Sequence, residues 1–112
     1  MNSEIDGVTL FVYGTLIDAA ERIRLLGRPV DATPARLPGY TRGQKRYFFI
    51  ARQTGATVEG AILEGLQPRD LEILDRYENV PQLYTRERIE VVAADGRAVG
   101  CWVYLPTGWA SE

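Results

Sequence analysis

Apolar positions in this chain fall into short runs broken by glycine and proline, with helical spacing in only two places. The first run, Val8-Thr9-Leu10-Phe11-Val12, is apolar and β-branched with turn chemistry directly behind it, which predicts a buried strand. Asp18-Ala19-Ala20-Glu21 has the spacing of an Asp variant of the capping box, and Ala20, Ile23 and Leu26 then recur on one helical face until Gly27 and Pro29. Pro34, Pro38 and Gly39 predict an irregular connection. Tyr47-Phe48-Phe49-Ile50 predicts a second strand, Gln53–Gly55 a turn, and Thr57 to Glu64 a third strand. Gly60 within that strand marks a bulge or a close backbone approach. Pro68 begins a second helix running to about Tyr77, with Leu71, Leu74 and Tyr77 as its stripe. Tyr84 to Val92 and Ala98 to Leu105 pair about an Asp95-Gly96 turn.

Strands interrupted by two short helices at unequal intervals do not make a regular βαβ pattern. The expected fold class is therefore α+β: a curved, mostly antiparallel sheet or small barrel with two short flanking helices, residues 1–112 forming one domain. The composition fits this: with 112 residues, 46% of them apolar and 25% charged, the chain can bury roughly two-thirds of its unfolded surface.

A net charge of −2, with both signs mixed along the chain, removes the electrostatic warrant for nucleic acid or an anionic membrane as partner. No apolar run approaches the ~20 residues of a membrane span, and the single cysteine, Cys101, fits a reducing compartment. A cytoplasmic protein of unspecified oligomeric state is expected. The chain has no histidine, which excludes a Ser-His-Asp triad, a Cys-His pair and the common zinc sites. Any proton shuttle must be a carboxylate, Lys, Tyr or Cys.

Two stretches carry candidate chemistry. In Tyr13-Gly14-Thr15-Leu16, Gly14 lets a ligand approach the main chain, and successive N–H groups in such a turn can cradle a carboxylate. Tyr13 supplies a wall or a hydroxyl and Thr15 a polar contact. The same four residues also suit an ordinary strand-to-helix turn, and they lack the second glycine and lysine of a phosphate-binding loop. In Leu74-Asp75-Arg76-Tyr77-Glu78, Glu78 lies at the disfavoured end of the helix dipole, three residues from Asp75 and beside Tyr77, Val80 and Pro81. Shielded from water, its carboxyl would titrate high and serve as a general base. The alternative is a solvated Glu78, or one paired with Arg76 or Arg86.

Together the two stretches resemble the gamma-glutamylcyclotransferase-like family, whose plant members are the avirulence-induced-gene proteins. The likeness runs from Val12-Tyr13-Gly14-Thr15-Leu16 through Val58-Glu59-Gly60 to Leu74-Asp75-Arg76-Tyr77-Glu78 and Tyr84-Thr85-Arg86, ending with the strand Val99 to Tyr104. The resemblance implies a small mixed β-barrel with flanking helices that needs no metal or cofactor. It implies cleavage of a gamma-glutamyl amine or peptide by the substrate's own α-amine, releasing 5-oxoproline and a free amine. By the same likeness, Glu78 is catalytic and Tyr13, Gly14, Thr15, Leu16 and Tyr84 hold a small-molecule substrate with a gamma-glutamyl group. Many relatives carry Tyr-Pro where this chain has Tyr47-Phe48, which alters the pocket wall. A non-catalytic binding or regulatory protein on the same fold is the rival reading, and a different amide or ester reaction at the same glutamate is a third.

The remaining signals are weaker. Cys101 is expected as a buried spectator. Trp102 and Tyr104 alternate with Cys101 and Val103 across the two faces of a strand. Arg42, Lys45 and Arg46 form a basic cluster expected in a solvated loop, and Trp109 either packs on the body or meets a partner.

Overall fold

The computed structural model describes residues 8–111. Its elements in chain order are β1 (Val8–Val12), α1 (Ala19–Leu26), β2 (Ala32–Gln44), β3 (Phe48–Leu66), α2 (Pro68–Tyr77), β4 (Tyr84–Ala93) and β5 (Ala98–Pro106). Short 3-10 turns cover Thr15–Ile17 and Gly108–Ser111. The strands close a mixed barrel in the order β1-β3-β2-β4-β5. All pairs are antiparallel except β1 with β5, which run parallel and meet at Leu10 and Trp102. Among the described residues no helix is long and apolar enough to cross a membrane.

The apolar run of β1 is explained by burial on both faces. Phe11 and Tyr13 join Leu37, Ile62, Val91 and Val103 in a cluster that, apart from Tyr13 just past β1, is made of strand residues, the barrel interior. Leu10 and Val12 join Leu63, Leu26, Leu71 and Leu74 in a second cluster beneath the helices. The expected alternation in β5 follows the same division: Cys101 and Val103 enter the first cluster and Tyr104 the second, with Trp102 against it. Burial pushes the Cys101 thiol up to about 11, so it stays protonated and inert at neutral pH.

Two expectations about the strands fail. The stretch marked by Pro34, Pro38 and Gly39, expected as an irregular connection, lies within the 13-residue strand β2. The prolines are tolerated because β2 is paired along its length with β3 but touches β4 only at Ala35 and Arg36, leaving most of its second side an edge. The expected break at Gln53–Gly55 is instead a bulge inside one 19-residue strand, β3. The register passes from Pro38–Thr57 to Tyr40–Arg52, with Gly39 and Gly55 both at φ +84° to absorb the extra residues.

The face of α1 is also rotated from its expected phase. Arg22 and Leu26 are buried, whereas Ile23 is 46% exposed. Asp18 does cap the helix, accepting from the Ala20 N–H at 3.0 Å. Glu21 does not complete the box but pairs with Arg24. Arg28 binds the buried Asp70 through both carboxylate oxygens (2.9 and 2.7 Å), and Asp70 also accepts from the Gln67 N–H at 2.8 Å. This pair ties the segment after α1 to the first turn of α2.

Gly60 is the close approach that its position in the strand predicts. A Cβ there would collide with the Val12 carbonyl oxygen and the Phe11 ring. Gly60→Ala should therefore lower stability by about 1–3 kcal/mol through overpacking. Denaturant unfolding checks this, and an unchanged midpoint would contradict the packing described.

Candidate active site

The chain leaves β1 at Tyr13 and turns immediately. Gly14 has φ −129°, so it is not a left-handed conformation that calls for glycine here. A Cβ would instead lie 3.4 Å from the Phe48 Cβ, crowding the cavity that both residues line. The turn is held from both ends by guanidinium groups. Arg42 Nη1 donates to the Tyr13 carbonyl at 2.8 Å. Arg22 Nη1 donates to the Leu16 and Ile17 carbonyls at 3.2 and 2.8 Å, while its Nε donates to the Val30 carbonyl at 2.9 Å. Carbonyls are thereby engaged along the turn. Among the described residues, the N–H groups of Gly14, Thr15 and Leu16 donate to nothing. Such a row of open amide donors suits a carboxylate.

The second component comes from the end of α2. Asn79 takes φ +58°, the Val80 N–H bonds the Asp75 carbonyl (2.9 Å), and the Asn79 N–H bonds the Arg76 carbonyl (3.1 Å). This is a Schellman termination with asparagine in the left-handed position, and it fixes Glu78 as the C-cap residue. Glu78 lines the same cavity as Tyr13, Gly14, Thr15 and Leu16, a space of about 430 Å³ whose walls include Val12, Phe48, Tyr77, Leu83, Tyr84 and Tyr104.

Glu78 and Asp75, three residues apart, have opposite environments. Burial raises Asp75, but hydrogen bonds from Arg86 (2.8 and 3.0 Å) and Tyr104 (2.7 Å), with the guanidinium charge, outweigh it and hold that carboxyl below its usual range. Among the described residues, Glu78 has no hydrogen bond or ion pair on its carboxylate. Burial alone pushes it up to about 7. The Asp75 repulsion expected from the sequence does not contribute, that carboxylate being balanced by Arg86. Neither Arg76 nor Arg86 pairs with Glu78, and neither Val80 nor Pro81 lines the cavity.

The hydroxyls of the walls are committed. Tyr13 donates to the Tyr104 carbonyl (2.6 Å) and Tyr84 to the Phe48 carbonyl (2.5 Å). Thr15 Oγ1 and the Tyr77 hydroxyl are 2.8 Å apart, and Tyr77 donates to Glu21 at 3.2 Å. Burial drives the Tyr13, Tyr84 and Tyr104 phenols upward, so none ionises near neutrality. Tyr13 is thus a wall rather than a donor. Among the described residues Glu78 is the one carboxylate lining the cavity, and a carboxyl so placed beside amide donors can exchange a proton near neutral pH. Among the described residues no group of His, Cys, Asp and Glu could hold a metal ion.

The sequence pattern of the family described as gamma-glutamyl cyclotransferase, AIG2-like, matches residues 10–111. The chain belongs to that family. AIG2-like protein C of Arabidopsis thaliana is 34% identical over 89 residues, covering 77% of this chain and 51% of that protein. A Methanocaldococcus jannaschii protein, named a gamma-glutamylcyclotransferase and provisionally an RNase, is 28% identical over 99 residues, 86% of this chain and 45% of that one. The chain thus spans about half the length of these relatives. A solved Arabidopsis thaliana structure superimposes with a TM-score of 0.81 at 28% identity, over 90% of this chain and 69% of that one. A structure described as gamma-glutamyl cyclotransferase gives 0.76 at 22% identity, over 89% and 66%. Fold and family are those the sequence resemblance implies.

The site residues expected from the sequence, Glu78, Tyr13, Gly14, Thr15, Leu16 and Tyr84, all line the one cavity. Sequence reasoning missed Arg22, which it did not single out, and Arg42, assigned to a solvated loop. It also missed Tyr77 and Tyr104, read as packing residues. The only signal for Arg22 was its place four residues before Leu26, on the face that becomes buried.

Because Glu78 binds its proton more tightly in the folded protein, stability should fall as pH rises from about 4.5 to about 7. In Glu78→Gln that slope should disappear, so the variant gains on the natural protein above pH 7. Carboxyl carbon NMR should show Glu78 titrating near 7 while Asp75 stays ionised to low pH. A Glu78 midpoint at the ordinary glutamate value would contradict its desolvation.

Proposed function

We propose that the chain is a gamma-glutamylcyclotransferase-like enzyme in which Glu78 is the general acid/base and the Tyr13–Leu16 turn holds the glutamyl end of the substrate. One observation carries this reading: a buried carboxylate shares a cavity with a row of amide N–H groups, neither having a partner among the described residues. Membership of the family supports it.

The substrate's α-carboxylate accepts from the N–H groups of Gly14, Thr15 and Leu16. Its α-ammonium lies toward Glu78, whose carboxylate takes one proton. The freed amine attacks the γ-carbonyl carbon, closing a five-membered ring and placing negative charge on the carbonyl oxygen. As that charge collapses, the γ-carbon–nitrogen bond breaks and Glu78 returns the proton to the departing nitrogen, then takes the second proton from the ring nitrogen and passes it to the released amine. The products are 5-oxoproline and a free amine, with no water consumed. A carboxyl titrating near 7 suits both halves of the exchange, since it gives and takes a proton at neutral pH. Holding amine and carbonyl in register supplies much of the rate, because ring closure is intramolecular. Tyr84, on the cavity lining, acts as wall. No step needs a metal or cofactor.

Incubation with gamma-glutamyl amines and chromatography for 5-oxoproline tests this. Glu78→Gln should lower turnover by about 10²–10⁴-fold while the far-ultraviolet circular dichroism stays unchanged. Full activity in that variant would remove Glu78 from the mechanism. A protein that binds gamma-glutamyl compounds without releasing 5-oxoproline would be the non-catalytic binder.

A further inference from the structure

The glycine turn and Glu78 account for the glutamyl end and the reacting centre, and what remains of the cavity lining is chiefly aromatic. We propose that Phe48 together with Tyr47 and Tyr84, the two tyrosines held in place by Trp109, forms the leaving-group subsite and selects an amine bearing an uncharged aromatic group over one bearing a second positive charge. The inference rests on the enzymatic reading above and adds the class of leaving group.

Tyr47, Phe48 and Tyr84 all line the cavity, with Leu83 beside them. Tyr47 is 40% exposed, a large ring with an open surface at the cavity. Trp109 does not line the cavity but stands behind this wall. Its ring meets Tyr47, Phe49 and Tyr84 edge to face, with centroids 6.0, 5.6 and 5.7 Å apart. Its Nε1 donates to the Leu83 carbonyl at 2.6 Å, and Thr107 Oγ1 donates to the Gln82 carbonyl at 2.7 Å. Trp109 is therefore a positioning residue: it joins the β2–β3 hairpin to the start of β4, so that the two tyrosines present one surface.

The charge around that surface fixes the selection. The Arg42 guanidinium lies 4.8 Å from the Phe48 ring centroid and that of Arg46 5.7 Å from Tyr47, while Lys45 Nζ donates to the Trp109 carbonyl at 3.4 Å. Arg76 is a further cation on the lining, and among the described residues Glu78 is the only acid there. An aromatic leaving group finds ring faces and edges to stack on. A leaving group with its own ammonium finds neighbouring cations, and the one carboxylate it could pair with is already needed for proton transfer.

The test compares gamma-glutamylbenzylamide, gamma-glutamylethylamide and gamma-glutamylputrescine; benzylamine is the least basic of the three leaving groups, so the decisive reading is how the donor ratios change between variants, which leave basicity untouched. The natural protein should favour benzylamide over each of the others by about 10-fold or more in kcat/KM, the range one pocket contact supplies. Tyr47→Ala and Trp109→Ala should each bring the benzylamide-to-ethylamide ratio close to one, the loss falling on the benzylamide KM. Trp109→Phe, which keeps the edge-to-face contacts, should restore most of the preference, whereas a purely structural defect would lower all three donors together. Should Trp109→Ala not fold, Tyr47→Ala carries the test through its exposed ring. Turnover of all donors without preference, or a preference for putrescine, would overturn the inference and leave the enzymatic reading standing. Absence of 5-oxoproline from every donor would overturn both.

Discussion

Burial of a carboxylate without a counter-charge is the constraint on which this site depends. A protein ordinarily resolves such a group by pairing or by exposure, because desolvation penalises the charged form. The helix α2 offers both outcomes within one turn. Asp75 is held by Arg86 and Tyr104, while Glu78 stands in the cavity with no partner among the described residues. Since Arg86 is committed to Asp75, it is not available to neutralise Glu78. The pairing of one carboxylate thus preserves the reactivity of the other.

The same logic runs through the turn after β1. Backbone donors become available to a ligand only if the turn does not fold upon itself, and a chain turning at one glycine has little stiffness of its own. Arg42 and Arg22 supply the stiffness by engaging its carbonyls at both ends. Arg22 is buried without a carboxylate partner and spends its hydrogen bonds on three main-chain oxygens, which explains why a charged residue occupies the inward face of α1. The bonds from Thr15 to Tyr77 and from Tyr77 to Glu21 then join turn, α1 and α2 into one frame.

Much of this was legible in the sequence where local chemistry decides structure. The β1 run, the Pro68 helix start, the Asp95-Gly96 hairpin and the close approach at Gly60 follow from residue type and spacing, and the resemblance carried the fold and the pairing of glycine turn with glutamate. What escaped depended on partners distant in the chain. Pro34 and Pro38 look like breakers until β2 is seen to have a nearly unpaired side. Gln53–Gly55 looks like a reversal until Gly39 opposite absorbs the same irregularity. Arg22, Arg42 and Tyr104 act through bonds to main-chain or side-chain atoms that no local pattern announces. Shielding of Glu78 was expected from its chain neighbours Tyr77, Val80 and Pro81, with helix dipole and Asp75 repulsion beside it. The operative reason is tertiary: a cavity walled by strands from elsewhere in the chain.

The most direct measurement is a heteronuclear NMR titration of the labelled protein with 5-oxoproline. If the turn and the glutamate face one ligand, the Gly14, Thr15 and Leu16 amides and the Glu78 carboxyl carbon should shift together and saturate at a common concentration. Shifts confined to either stretch alone, or saturable shifts away from both, would contradict a shared site.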